Sequence, residues 1–220
     1  NTKGIQELFQ QIMSISRKRQ YQLLTENGGE EMTDYTQVDH LPTHGRRVVF
    51  QGVEGAYSFG AMKEFFDDTI TSFHVDTWKE AMEAITKGEA DYAVLPIENS
   101  TAGIVSDIYD LLVEYPHYIV GEQELPVEHV LMALPGAKVE EIRTVISHPQ
   151  ALAQCRRFLD SNENWKTEER LNTAAAAKEV SESGDLTMAA VGSPYAAEHF
   201  GLQILKEGIF DARGNTTRFV

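Results

Sequence analysis

The chain has 220 residues, 42% apolar, 24% charged and 9% aromatic, which is enough apolar character to bury a core in one large or two small domains. Its formal charge of −15 excludes nucleic acid and an anionic membrane as expected partners, because both are held through basic patches. The single cysteine, Cys155, excludes an intrachain disulfide framework and a thiolate zinc cluster, and favours a reducing compartment. No apolar run approaches the roughly 18–20 residues of a bilayer span, and no basic-then-apolar leader opens the chain, so a soluble cytoplasmic protein is expected. An anionic small molecule is still allowed as a partner, in a pocket whose local field opposes the global one.

In chain order, Ile5, Leu8, Phe9, Ile12, Ile15 and Leu23 recur at spacings of three and four and predict an amphipathic helix over residues 5–24. Residues 26–45 hold Gly28-Gly29 and several acids with no apolar period, and read as an acidic linker. From Arg46 the texture changes. Val48–Phe50 predicts a strand, and Gly52-Val53-Glu54-Gly55-Ala56-Tyr57-Ser58 a turn into a helix around Met62, Phe65 and Phe66. A strand over 70–75, a helix over 78–86 and a strand over 92–97 follow, a β-α-β-α-β order that implies a parallel sheet. After Gly103 come a helix over 104–113 and β-rich runs at 118–120 and 127–134. The alternation then resumes with a short helix over 139–142, a strand over 144–146, a helix over 151–159, a weak strand over 165–168, a helix over 174–180 and a strand over 188–191. Two α/β units in series predict two lobes with a cleft between them. Ligands of open α/β sheets sit at strand carboxyl ends, where the polar loops of this chain fall.

Three polar stretches are candidates for a site. The last six residues, Asn215-Thr216-Thr217-Arg218-Phe219-Val220, read as a Thr-rich turn leading into a strand that would begin where the chain stops. Pro96–Gly103 and Ser147–Cys155 look built to meet it, each offering hydroxyls, amides and backbone N–H groups at a helix N-terminus, the logic of an anion site. Four consecutive polar residues, Glu98-Asn99-Ser100-Thr101, exceed what capping needs and favour a ligand role. Gly52-x-x-Gly55 lacks the full dinucleotide and P-loop patterns, so a tight turn with Ser58 as cap competes with a phosphate site. Ser147-His148 invites a nucleophilic dyad, but neighbours at a strand end point apart; Ser147 as N-cap, with Gln154 facing the cleft, fits better. Thr173-Ala174-Ala175 is either a capped Ala-rich helix or a close approach of N–H groups to a carboxylate. Cys155 reads as a buried inert thiol, and the seven histidines show no metal-ligand spacing.

Gly52-x-x-Gly55-Ala-Tyr-Ser58, Ala93-Val94-Leu95-Pro96-Ile97-Glu98-Asn99-Ser100-x-x-Gly103, Ser147-His148-Pro149-Gln150-Ala151-Leu152-x-x-Cys155 and Asn215-x-Thr217-Arg218-Phe219 together resemble the ordered motifs of prephenate dehydratase, over about residues 46–220. The resemblance implies an α/β fold of two lobes like type II periplasmic binding proteins, with 46–99 and 200–220 in the first lobe and 100–199 in the second. It implies a cytoplasmic enzyme of phenylalanine biosynthesis, a homodimer or larger, without cofactor or metal. The implied reaction takes prephenate to phenylpyruvate, water and CO2. On the same basis Thr217 is the catalytic threonine, with Asn99, Ser147 and Gln154 as further catalytic or binding groups. Ser100, Thr101, Gly103, Thr173, Ala174, Ala175, Arg218 and Phe219 would hold the substrate, Arg218 through a carboxylate and Phe219 as an apolar wall. Arogenate, the aminated relative, is an alternative substrate, and a metabolite-binding module without chemistry an alternative function. The family's dehydratase region is commonly followed by a phenylalanine-binding ACT domain, which the sequence does not extend to include. Residues 7–20, with Ser16 and Gln20, resemble the last helix of a helical chorismate mutase, so residues 1–25 are expected to be the remnant of a fused mutase that has lost that activity.

Overall fold

The structure is a computed structural model that describes Val38, residues 40–211 and residues 214–220. The chain divides into two compact units, Asn1–Leu41 and Pro42–Val220, and the described secondary structure all belongs to the second. The expected helix over 5–24, with Ser16 and Gln20, and most of the acidic linker lie outside the described residues.

The second unit is mixed α/β, as the order of elements implied. Its first layer is a parallel sheet of β1 (Arg47–Gln51), β2 (Thr71–Val75) and β3 (Tyr92–Val94), with β1 in the middle. Val48, Val49 and Phe50 are all fully buried because both faces of β1 are covered. Strand alternation sends Val48 and Phe50 to one side, against Ala61 and Met62 of α1 (Tyr57–Phe65). It sends Val49 to the other, against Ala81, Met82 and Ala84 of α2 (Trp78–Thr86). Thr77 and Glu80 close α2 with a reciprocal capping box.

The single strand expected over 92–97 is two strands. β3 ends at Val94, and β4 (Pro96–Asn99) leaves for a second, antiparallel sheet, because Pro96 has no N–H to extend the parallel ladder. That second sheet has the order β5 (Gly103–Ile104), β4, β12 (Thr216–Phe219), β6 (Gln123–Pro126). The last six residues are therefore not a turn before a strand; they contain the strand itself, paired on both sides. The stretch after β4 is likewise a hairpin into β5 rather than a helix opening, and α3 runs over Ser106–Glu114, two residues later than expected. Ile104 consequently sits in a short strand, largely exposed. The run at 118–120 is not a strand and is exposed, while β6 was not anticipated because its sequence, Gln-Glu-Leu-Pro, has one buried residue.

The third sheet has the order β11 (Gln203–Lys206), β7 (Val130–Ala133), β10 (Met188–Gly192), β8 (Thr144–Ser147), β9 (Lys166–Glu169). β8, β9 and β10 are parallel, and β7 opposes β10 and β11. Leu131, Val145, Ala189 and Val191 face one core, and Met132, Ile146 and Ala190 the other. The helix expected over 151–159 is broken into α4 (Pro149–Gln154) and α5 (Arg156–Asp160) at Cys155, whose ψ of 16 departs from the helix. α6 covers Thr173–Ser183, and a further helix, α7 (Pro194–His199), follows β10.

Gly55 and Gly60 bring α7 against the first layer. A Cβ on Gly55 would lie 2.8 Å from Ala196 Cα, and one on Gly60 would lie 2.5 Å from the Tyr195 ring. The buried Ser193 hydroxyl donates to the Gly55 carbonyl at 2.5 Å while accepting from Ala196 N at 3.0 Å. The Gly52-x-x-Gly55 turn is thus a packing device. Ser58 donates to the Gln51 carbonyl at 2.6 Å rather than capping α1.

Candidate active site

Antiparallel pairing places Thr217 of β12 directly across from Asn99 of β4. The Asn99 Nδ2 group donates to Thr217 Oγ1 at 2.9 Å and to Asn215 Oδ1 at 2.8 Å. Its Oδ1 accepts from the backbone N–H groups of Thr101 and Ala102, at 3.0 and 2.9 Å. One half-buried amide therefore ties the hairpin to the terminal strand through both of its ends. The Ser100 hydroxyl adds a second tie, accepting from Thr216 N at 2.9 Å and donating to the Gly214 carbonyl at 3.0 Å. The Thr101 hydroxyl donates to Asn215 Oδ1 at 3.2 Å. Gly103 turns the hairpin with φ 89, a conformation that side-chain-bearing residues rarely adopt. Two of the three polar stretches do meet, and Asn215, which stands in the terminal motif but has no expected role of its own, is their hub.

Arg218 and Phe219 depart from the expected arrangement. Successive strand residues face opposite ways, so Arg218 points away from Thr217. It lies among Glu98, Glu122 and Glu124, at 3.8, 4.0 and 3.4 Å. Its charge is answered by this chain's own carboxylates. Phe219 is 3% exposed and belongs to the core formed with Val48, Phe50 and Leu125.

The third stretch sits on the five-stranded sheet. Ser147 is fully buried and donates to the Val191 carbonyl of the neighbouring strand β10 at 2.5 Å. It does not cap α4. That role falls to His148, whose Nδ1 accepts from Gln150 N at 3.2 Å. Ser147 and His148 thus turn to different partners, as neighbours at a strand end should. Gln154, at the last turn of α4, has its Oε1 2.9 Å from His129 Nε2, and His129 Nδ1 is 3.1 Å from the Tyr57 hydroxyl. Burial raises the Tyr57 phenol far above its ordinary range and lowers His129 below 6.5. Neither residue is among the expected site residues; the signals in the letters are Tyr57 within the Gly52–Ser58 motif and a histidine leading the apolar run of β7.

At the start of α6 the cap is Asn172, not Thr173, with Oδ1 accepting from Ala175 N at 2.7 Å. Ala174 is buried, and the Ala175 N–H is already occupied. Cys155 is fully buried, and burial, then the charge of Asp211, pushes its thiol up to about 12.

Residues 48–220 match the family model described as prephenate dehydratase. Arogenate dehydratase 1 of Petunia hybrida is 41% identical over 212 residues, spanning 90% of this chain and 50% of that protein. The bifunctional chorismate mutase/prephenate dehydratase of Escherichia coli strain K12 is 34% identical over 220 residues, spanning 98% of this chain and 54% of that protein. A solved structure described as GqqA, a novel type of quorum quenching acylase, superposes with a TM-score of 0.71 at 39% identity, over 79% of this chain and 62% of that one. The chain spans about half the length of these curated relatives. With the motifs in order and nearly the whole of the second unit matched, the chain belongs to the prephenate dehydratase family, whose dehydratases are carbon–oxygen lyases.

Proposed function

We propose that the chain carries the dehydratase chemistry of its family, converting prephenate to phenylpyruvate, water and CO2. The observation that carries this reading is the Asn99–Thr217 pair. Because Asn99 Nδ2 donates to Thr217 Oγ1, the threonine's own proton stays available to donate to a departing ring hydroxyl. A threonine hydroxyl is too weak an acid to transfer a proton outright, so it acts as a fixed donor to a group that leaves as hydroxide and becomes water on taking a proton from solvent, while the pair of the broken C–CO2 bond aromatises the ring. Since Arg218 is tied to three glutamates, the substrate carboxylates are read as meeting the hairpin at Ser100, Thr101 and Gly103 and the start of α6 at Thr173–Ala175; the Ser100 and Thr101 hydroxyls and the Thr101 and Ala175 N–H groups have partners within the chain, which they must exchange to hold a carboxylate. Gln154 completes the set from the other sheet, and Ser147, whose proton is engaged by the Val191 carbonyl, supports it from within that sheet.

We infer that these parts form two lobes, with 46–99 and 200–220 against 100–199 as the expected outline; β5 and β6 pair into the sheet of β4 and β12, which carries residues 103–126 to the first lobe. The strand β11 pairs with β7, which moves the return to the first lobe from residue 200 to beyond Lys206. The match to the bifunctional relative runs through residues before 48, which supports reading the N-terminal stretch as the end of a fused mutase.

Two features bear on the alternatives. Arogenate differs from prephenate by an amine in place of a keto oxygen, and a relative at 41% identity bears the arogenate name; parallel assays of phenylpyruvate from prephenate and phenylalanine from arogenate test the choice. A higher kcat/KM on arogenate would overturn the prephenate reading. A metabolite-binding module would bind either compound and release it unchanged.

A further inference from the structure

We propose that His129 is a positioning residue that locks the side-chain amide of Gln154 with its nitrogen toward the substrate, and that Tyr57 sets the tautomer that allows it. The inference rests on the dehydratase reading and names a device within the same site.

The three side chains come from three elements: Tyr57 opens α1, His129 leads into β7, and Gln154 ends α4. Tyr57 packs with the core beside the parallel sheet, whereas His129 and Gln154 flank strands of the five-stranded sheet. His129 is 4% exposed, and its ring lies 5.8 Å from that of Tyr57 at 60°. Each ring nitrogen has a side-chain partner, at 3.1 Å and 2.9 Å, and the Gly192 backbone also hydrogen-bonds the ring. A buried neutral imidazole must donate from one nitrogen and accept at the other. The Gln154 oxygen can only accept, so Nε2 carries the proton; Nδ1 is then bare and takes the Tyr57 O–H. Every link runs in one direction, from phenol to imidazole to amide.

The consequence falls on Gln154. With Oε1 engaged, the amide can offer a ligand only its two N–H donors, which suits a carboxylate or a departing hydroxide. The opposite amide orientation would leave the His129 N–H facing another donor and turn a carbonyl oxygen toward an anion. The backbone of Gln154 is pinned as well, its carbonyl accepting from Asp211 N at 2.7 Å, so the amide orientation is the freedom that remains to be fixed. Among the groups around the relay, Glu128, Cys155 and Tyr195 act on Tyr57, and the Gly192 backbone hydrogen-bonds the His129 ring and favours its charged form, which burial opposes more strongly. Because the relay crosses from one sheet to the other, it also makes the amide orientation depend on the two sheets holding their relative place.

The test is a double-mutant cycle on the full chain. Tyr57→Phe keeps the ring and removes the hydroxyl. It should lower kcat/KM about tenfold in the parent and less than about twofold in a Gln154→Ala background, because residues acting as one unit are not additive. Losses that multiply would overturn the proposal. A second measurement does not depend on turnover: 15N spectra of the His129 ring above pH 6.5 should show the neutral Nε2–H form, with that preference lost in Tyr57→Phe. An Nδ1–H form in the parent overturns the relay whether or not the chain is active. A parent that makes no product with the Nε2–H form in place would instead count against the dehydratase reading and leave the relay standing.

Discussion

Asn99 uses three polar directions at once, and its loss should be felt in both stability and turnover. Asn99→Ala removes the donor to Thr217 and strips two backbone N–H groups of their acceptor. A cost of about 2 kcal/mol in urea unfolding is expected, with a fall in kcat larger than the change in KM. Cys155 makes a different prediction. With its thiol at about 12, only about one molecule in ten thousand is thiolate at pH 8, so the folded chain should resist iodoacetamide and react once unfolded in urea. His129 gives a pH dependence. Its folded pKa lies below 6.5, so above that value neither state binds the proton and stability is unaffected. As pH falls below 6.5 the unfolded chain takes up a proton that the folded chain resists, and stability declines. His129→Gln should flatten the plot of unfolding free energy against pH in that window; an unchanged slope would mean that His129 does not titrate differently on unfolding.

At the scale of elements, the apolar runs carried the fold. Val48–Phe50 is a continuous buried run, Thr144–Ile146 and Met188–Val191 are buried after their first residue, and all three appear as strands where the letters place them. Trp78–Thr86 is a helix with both of its ends as expected, because a capping box and apolar spacing agree there. The failures share a cause. β4, β6, β11 and β12 are mostly polar or half-buried and are strands because of distant partners, which periodicity within a window does not see. Helix α4 stops at Gln154 although the apolar period runs on to Leu159, since the Asp211 N–H donates to the Gln154 carbonyl and the Asp211 carboxylate accepts from the Arg157 backbone N–H, both from outside the helix. The Gly55 turn was ambiguous for a related reason: a phosphate cradle and a close packing contact need the same residue. Gly55→Ala meets Ala196 at 2.8 Å with φ 85, whereas Gly88→Ala, with φ 70, meets nothing within 4 Å. The second should cost about 1 kcal/mol and the first clearly more, on paired thermal melts; equal shifts would mean that α7 yields to the turn.

For the whole molecule, the site is legible as motifs and obscure as geometry. Asn99, Ser100, Thr101 and Thr217 stand out as polar residues crowded at strand ends, and the antiparallel sheet does bring them together. The letters do not say which side of β12 faces them, so Arg218 was assigned to a carboxylate and instead turns to Glu98, Glu122 and Glu124. Nor do they say that Tyr57, His129 and Gln154, from segments far apart in the chain, form one line. The central claim is that the Thr217 hydroxyl, aimed by Asn99, assists loss of the ring hydroxyl. Phenylpyruvate formation by the parent, Thr217→Ser and Thr217→Ala, each checked for native circular dichroism, tests it most directly. Thr217→Ser should keep a substantial share of the parent rate and Thr217→Ala should lose about a hundredfold or more in kcat. A folded Thr217→Ala chain that turns over prephenate at the parent rate would contradict it.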